Sequence, residues 1–499
     1  MRSAVSVEAV RRAERAAMSL LPEGTLMQRA AAGLAAVVVG ELSAARGGVY
    51  GARVVLLVGA GANGGDALWA GARLRGRGAR VDAVLVAGAV HEEGLAGFRA
   101  AGGRVHRVAD VPDGGLEAGF GDLLGRADVV VDGILGIGGR PGLDDATAAL
   151  LDLAAPDACV VAVDLPSGVD PDTGAVGSGA VRADVTVTFG VLKAALLLPP
   201  AGQHAGRVEL VDIGLDPADL TATEVASLDV ADLAAAWPWP HAGDDKYRRG
   251  VLGVVAGGRG YTGAAVLCTG AAVRSGAGMV RYVGPDEPTA LVRARWPEVV
   301  PGDGRVQAWV LGPGLDPDAG DGQADRVRDA LGTDLPCLVD AGALDLLPPR
   351  RDAPTLLTPH AGELARLLTR LGEPTERADV EARPLEHARA AARLTGATVL
   401  LKGATTVVVP PGGSPAGGGP VLTQRDGPAW LATAGSGDVL AGVAGTLLAA
   451  GLDPLLAGAV AAAVHGRAGA LASAGGPLDA GRLLDAVPGA VAALRDWPT

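Results

Sequence analysis

Apolar residues in the first two hundred positions come in short unbroken runs, not in alternation. "RVVLLV" (53–58), "VDAVLVAG" (from 81), "DVVVDGILG" (from 128), "CVVAVDLPSG" (from 159), "DVTVTFG" (from 184) and "VELVDIG" (from 208) each read as a strand. Small-residue segments at helical spacing, such as "DALWAGARLRGRG" (66–78), lie between them. Unbroken apolar strands separated by helices predict a parallel sheet covered on both faces. Chemistry then belongs at the carboxyl ends of the strands. The loops after Val58, Val131, Val163 and Val187 carry Gly, Asp or Ser, as that rule expects.

The rhythm breaks over 215–249, where Pro238 and Pro240 fall and no strand-like run occurs until "GVLGVVAGG". This predicts a boundary near residue 220 and two domains, 1–220 and 221–499. A second strand set follows: "VLGVVAGG", "MVRYVG", "AWVLGPG", "PCLVDAG", "TLLTPH", "TVLLKG" and "TVVVP". It ends in helices rich in Ala, Gly and Leu. "PPGGSPAGGGP" (410–420) reads as a surface turn.

Composition narrows the function. At 49% hydrophobic and 20% charged, the 499 residues read as globular. The net charge of −13, with no basic run, argues against nucleic acid and anionic membranes as partners. Cys159, Cys268 and Cys337 form no CxxC pair, so neither a disulfide framework nor a zinc site is expected. The start has charges where a signal peptide needs an apolar run. Apolar stretches such as "AAAGLAAVVVG" fall short of the ~18 residues of a membrane span. The expectation is a soluble cytoplasmic protein. Lysine and asparagine are nearly absent: Lys193, Lys246 and Lys402 stand against 40 arginines, and Asn63 is alone. A coding bias that replaces these residues wherever a substitute is tolerated would leave them only where Arg or Gln will not do.

"GAGANG" (59–64) fits a dinucleotide turn after a strand. A plain dehydrogenase also wants an acidic residue at the end of the second strand, and Asp82 sits at its beginning instead. Asp66 reads either as a helix cap or as part of a site. Asn63, Asp132 and Ser167 offer oxygen ligands only, which suits a large monovalent cation better than Mg²⁺ or zinc. A carboxylate at a strand tip, Asp164, suits acid–base work on a carbinolamine-like carbon. "GAGANGGD", "DGILGIGGR" and "VDLPSGVD" resemble the motifs of NAD(P)H-hydrate epimerases, with a Rossmann-like domain over roughly 1–220. The family loop usually carries two consecutive asparagines; here the first position is Ala62. The resemblance implies substrate contacts at Ala62, Asn63, Gly64, Gly65 and Asp66. It implies further contacts at Gly136, Ile137, Gly138, Gly139, Arg140, Pro141 and Gly142. It places K⁺ at Asn63, Asp132 and Ser167, and Asp164 at the reacting ring.

"LATAGSGDVLAGVAGTLL" puts Gly435, Ser436, Gly437 and Asp438 before an apolar helix. Bare N–H groups there make an anion hole, and a carboxylate beside them suits a base taking a proton from an attacking hydroxyl. The plainer reading of Asp438 is a helix cap. "LKGATTVVV" sets Lys402 and two hydroxyls at a strand end, and "LTPHAGE" sets His360 after a strand. No Walker P-loop occurs. His91, His106, His204, His241, His387 and His465 have no partner that the sequence names. "GSGD", "TPHAGE", "LKGATT" and "GGRGYTGAA" together resemble the ADP- or ATP-dependent NAD(P)H-hydrate dehydratases, ribokinase-like α/β proteins, over about 225–499. Ser436 replaces a commoner Thr, and "DDKYRRG" replaces a His-Lys-Gly-Asp stretch while keeping Lys246. The resemblance implies substrate contacts at Ala264, Gly314, His360 and Asp438. It implies nucleotide contacts at Lys402, Gly403, Ala404, Thr405, Thr406 and Gly437, with Mg²⁺ and ADP or ATP.

The whole then reads as a bifunctional, homo-oligomeric enzyme that repairs hydrated NADH and NADPH. It would epimerise the C6-hydroxy forms and dehydrate the S form with consumption of nucleotide, ADP foremost. The competing readings are a ribokinase-type small-molecule kinase fused to a dinucleotide-binding domain, and a nucleotide-binding regulator without turnover.

Overall fold

The computed structural model describes all residues except 112–114, 221–222, 413–418 and 496–499. The turn expected over 410–420 therefore falls largely outside the described residues. The chain forms two compact units, Ser3–Val225 and Ala226–Thr499, with Met1–Arg2 belonging to the second.

In the first unit seven parallel strands form one sheet. Across the sheet they run Arg104–Arg107, Arg80–Leu85, Arg53–Val58, Val129–Gly133, Cys159–Val163, Val185–Phe189 and Arg207–Val211. Strand order reverses between Arg53–Val58 and Val129–Gly133, as in Rossmann-like sheets, so a crevice opens there beyond the carboxyl ends. The unbroken apolar runs follow from two-sided burial. Val54, Leu56 and Val58 pack on one face with Leu34, Val38 and Leu42 of helix Thr25–Arg46. Val55 and Leu57 pack on the other with Phe120, Leu124 and Leu150. Arg104–Arg107 is an edge strand with only Val105 apolar, which is why no run announced it.

Among the described residues nine strands of one sheet lie wholly within the second unit. Their order is Val300–Pro301, Met279–Tyr282, Val251–Val255, Ala308–Leu311, Cys337–Val339, Thr355–Leu357, Thr398–Leu401, Thr406–Val409 and Val421–Gln424. The first seven pair in parallel and the last two antiparallel. Helix Ser436–Ala449 is rich in small residues because its backbone approaches its neighbours closely. A Cβ added at Gly442 would strike the Cys268 carbonyl on helix Thr262–Arg274, and one at Gly445 would strike Val310.

Three expectations need correction. The glycine-rich turn is shorter than expected: only 59–61 lie outside regular structure, and helix Ala62–Gly76 starts four residues before Asp66. Its glycines are there for contact, since a Cβ at Gly64 would strike the Gly59 carbonyl. The stretch 215–249 is not free of regular structure. It holds the short strand Val225–Ser227 and helix Val230–Ala236, which opens with a capping box between Asp229 and Asp232. Finally, Thr25–Arg46 and Pro454–Ser473 are long and apolar enough by length and composition to cross a membrane. Each buries residues inside its unit instead: Ala31, Leu34, Val38 and Leu42 of the first, and Val460, Ala461, Ala463 and Val464 of the second.

Candidate functional site

The crevice of the first unit gathers three of the residues singled out from sequence. Asp132 ends the central strand Val129–Gly133 and is fully buried. Ser167 closes on it twice: Ser167 Oγ donates to Asp132 Oδ1 at 2.6 Å, and Ser167 N to Asp132 Oδ2 at 2.8 Å. Burial pushes the Asp132 carboxyl up to about 6, with the Ser167 hydrogen bonds pulling the other way. Asn63 lies in the first turn of its helix and donates Nδ2 to Val163 O at 2.5 Å and Leu135 O at 3.1 Å. Ser167 Oγ also lies 3.3 Å from Leu135 O, so Asn63 and Ser167 meet at one carbonyl, and Ser167 ties Asp132 to them. This explains the carboxamide: Asp has no donor for two carbonyls, and Gln would reach past them.

Close packing sets the loop after Asp132. A Cβ at Gly136 would collide with the Asn63 carboxamide. Gly136→Ala is therefore expected to displace Asn63 and cost ~1–3 kcal/mol, the usual range for overpacking. Denaturant unfolding of the first unit checks this, and wild-type stability would show that the loop gives way freely. Gly138 and Arg140 are exposed and Gly142 adopts φ +88°, where its amide reaches the Gly168 carbonyl at 2.9 Å. Ala62 is exposed at the helix start.

Asp164 is the outlier of this region. It is a non-glycine residue at φ +67°, 5% exposed. Its Oδ1 meets Lys193 Nζ at 2.5 Å and accepts from Thr188 Oγ1 at 3.1 Å. Lys193, 1% exposed, also donates to Thr188 Oγ1 and the Phe189 carbonyl. The rarity of lysine marked Lys193, but sequence reasoning gave it no role. Asp66 does not cap its helix: the N-cap is Gly61, with no side-chain cap bond. Asp66 is 6% exposed, and burial, then the charges of Asp164 and Glu14, push its carboxyl well above the usual range. Asp82 is committed elsewhere, to His106 Nε2 at 2.9 Å. His91 caps helix Glu92–Ala100 and His204 binds the Val181 carbonyl, so these three histidines are structural.

In the second unit, Lys402 directly follows strand Thr398–Leu401 and its Nζ binds Asp340 Oδ1 at 2.8 Å, with Glu363 Oε2 at 3.7 Å. Burial opposes its charge, but Asp340 and then Glu363 outweigh it and raise its pKa. A Cβ on Gly437 would lie 3.5 Å from that Nζ, which places the lysine beside the N-terminus of helix Ser436–Ala449. Asp438 stands in the helix's first turn and makes no side-chain cap bond. Burial, then the charge of Asp340, raises its carboxyl to about 7 against the pull of Lys402. His465 supports the turn from behind, with Nε2 at 2.9 Å from the Ser436 carbonyl. Its burial lowers its pKa to about 4, so it is neutral and donates there.

His360 caps helix Ala361–Arg370, its Nδ1 accepting from Gly362 N and Glu363 N. That fixes the proton on Nε2. Lys402 N donates to the Pro359 carbonyl at 2.9 Å, which joins this cap to the lysine. Gly314, at φ +64°, packs on Ala264, where an added Cβ would sit 2.5 Å from the alanine's own. Gly403 and Ala404 are exposed, and Thr406 starts the next strand. Thr405 Oγ1 is buried with no hydrogen-bond partner among the described residues. Asp340 and Glu363 were missed from sequence, although "LVDAG" carries the same strand-end aspartate that marked Asp132. A cavity of about 850 Å³ lined by Trp237, Trp239, Arg249 and Arg495 lies beside Thr446 and Ala450, at the other end of the Asp438 helix.

Residues 23–195 match the family described as YjeF-related protein N-terminus, and residues 252–487 match the one described as NAD(P)H-hydrate dehydratase. The chain is 47% identical to the bifunctional NAD(P)H-hydrate repair enzyme Nnr of Mycobacterium leprae, over 99% of this chain and 100% of that one. It is 34% identical to the enzyme of the same name from Corynebacterium glutamicum, over 90% and 87%. The solved ADP/ATP-dependent NAD(P)H-hydrate dehydratase of Bacillus subtilis, co-crystallised with ATP/Mg²⁺, is 28% identical with a TM-score of 0.48, covering 53% of this chain and 97% of that one. The reading as a small-molecule kinase fused to a dinucleotide-binding domain is not favoured, because the alignments to repair enzymes run through both halves. A Rossmann-like epimerase domain followed by a ribokinase-like dehydratase domain, aligned nearly end to end at 47% identity, shows that the chain belongs to the family of bifunctional NAD(P)H-hydrate repair enzymes.

Proposed function

We propose that the two activities divide near residue 220. Residues 1–220 interconvert the R and S forms of NADH and NADPH hydrated at C6, with Asp164 at the reacting ring. Residues 221–499 return the S form to NAD(P)H at the expense of ADP or ATP. Asp438 takes the proton of the C6 hydroxyl as its oxygen attacks the terminal phosphoryl group of the nucleotide. Phosphate then leaves C6 while a proton leaves C5, and the ring double bond is restored. Hydroxide is a poor leaving group and phosphate a good one, so the nucleotide drives the dehydration. Lys402 and the Gly437 amide face the phosphates, and Thr405 supplies a buried hydroxyl still lacking a partner. The observation that carries the reading is one chain with two separate strand-end carboxylate centres, Asp164–Lys193 and Asp438–Lys402–Asp340.

The residues present fit both proposed ions. Asp132 is a fully buried carboxylate with Asn63 and Ser167 beside it, an all-oxygen set with one charge, which suits K⁺. Asp340 is a hard oxygen donor beside the phosphate loop, which suits Mg²⁺ carried largely by the nucleotide. When bound, the Mg²⁺ offsets charge on the transferring phosphoryl group.

The test is purified protein with an R/S mixture of hydrated NADH and ADP or ATP, followed by the return of reduced-nicotinamide absorbance. Complete conversion of the mixture is expected. A stable phosphorylated product without that absorbance would instead support a kinase. Asn63→Ala is expected to weaken epimerisation and its dependence on K⁺ while the purified S form is still dehydrated at the wild-type rate. Equal K⁺ dependence in variant and wild type would remove Asn63 from the ion site.

A further inference from the structure

Asp66 has a burial that substrate contact alone does not account for. It is 6% exposed, and its Oδ1 has no hydrogen-bond partner among the described residues. A buried carboxyl oxygen without a donor is costly unless the group carries its own proton. Its placement is set by two links. Asn63 and Asp66 are three residues apart on one helix and so share a face. Asn63 Nδ2 binds the Val163 carbonyl at 2.5 Å, and Asp164 is the next residue. The helix face that carries Asp66 is thereby held against the strand tip that carries Asp164.

The two carboxyl groups stand in contrasting settings. Asp164 is ion-paired to the buried Lys193 ammonium at 2.5 Å. Among the described residues no cation pairs with Asp66. Burial, Asp164 and Glu14 all favour its neutral form, and Lys193 opposes them more weakly. Glu14, on helix Val7–Leu20, is itself shifted toward the neutral form, first by burial. A carboxylate held by an ammonium, beside a carboxyl that lacks one, is how a site divides base from acid.

We propose that Asp66 and Asp164 work as an acid–base pair in epimerisation: Asp164 takes the proton of the C6 hydroxyl while Asp66 delivers its own to the ring nitrogen N1. This rests on the epimerase reading above. The oxygen's electron pair becomes the C6=O bond as the C6–N1 bond breaks, and its electrons go to N1, which Asp66 protonates. The open form is an aldehyde with an N–H. Rotation about C5–C6 presents the other face of the carbonyl. N1 then attacks C6, returning its proton to Asp66, and Asp164 returns the other to the oxygen. Both groups end as they began, and no oxidant or second substrate is consumed.

The experiment uses the full chain and its Asp66→Asn variant. Purified R hydrate is the epimerase substrate, and purified S hydrate with ADP is the control. The expected result is a loss of ~10²–10⁴ in epimerisation kcat, with KM changed little, and unchanged dehydration of the S form. Infrared difference spectra of wild type minus variant at neutral pH should show a carboxylic-acid carbonyl band. This arm reads the Asp66 proton without reference to activity. R hydrate labelled with ¹⁸O at C6 should give S hydrate that keeps its label, since the C6–O bond does not break. A wild type that epimerises beside an Asp66→Asn variant of equal kcat overturns this inference alone, as does a carboxylate band or loss of the label to solvent. A wild type that leaves the R hydrate untouched overturns the epimerase reading itself and this inference with it.

Discussion

Asp438→Asn is expected to lower dehydration of the S hydrate by ~10²–10⁴, the usual worth of a positioned general base. Nucleotide affinity should hold or tighten slightly. The amides of the Gly435–Gly437 turn are unchanged, and one negative charge leaves the neighbourhood of the phosphates. The helix should not suffer either, because its N-cap is Gly435 and Asp438 makes no capping bond. Epimerisation, which belongs to the other sheet, should survive. The wild-type pH profile gives a second readout. A base must be ionised to act, and this carboxyl is raised to about 7. The rate should therefore climb with pH through about 7 and level off above it, losing a factor of ~10 per unit on the acid side. Near-normal dehydration by a folded variant, or a profile flat across neutrality, would take Asp438 out of the mechanism.

Both sheets could be read from the chain because strands buried on two faces leave unbroken apolar runs, and Val54–Val58 is the plainest case. What escaped were elements without that signature. Arg104–Arg107 is an edge strand, and Val225–Ser227 is only three residues long. Residue scarcity was an uneven guide to position, since Lys246, marked with the others, is exposed, and it was silent about partners. It marked Asn63, Lys193 and Lys402, yet Asp164 lies 29 residues from Lys193, and Asp340 lies 62 from Lys402. Nothing local couples such pairs; only sheet order brings them together. Asp66 was ambiguous for a different reason. A helix starting at Asp66 would make it a cap, whereas a start at Ala62 leaves it buried within the helix with no capping role. Boundaries are the weakest product of sequence patterning, and here four residues change a side chain's meaning.

The second large effect concerns Asp164, where structural and catalytic roles must be separated. Asp164→Asn is expected to abolish repair of purified R hydrate and leave dehydration of the S form intact. It should also destabilise the first unit, because it leaves the Lys193 ammonium buried without its counter-charge. Breaking a buried pair in this way costs ~3–5 kcal/mol. The backbone is not the cause, since asparagine tolerates the left-handed region that Asp164 occupies at φ +67°. Lost epimerisation in the single variant could thus reflect a loosened crevice. The Asp164→Asn/Lys193→Met double variant removes both charges, and methionine refills much of the lysine's volume. It should recover most of the lost stability, because replacing a buried pair by neutral groups is often close to neutral. Measured as a double-mutant cycle by denaturant unfolding, the coupling should be large and positive. If Asp164 exchanges the hydroxyl proton, the restabilised double variant remains unable to epimerise. Wild-type conversion of R hydrate by that folded double variant would reduce the pair to scaffolding and leave the proton transfer to another group.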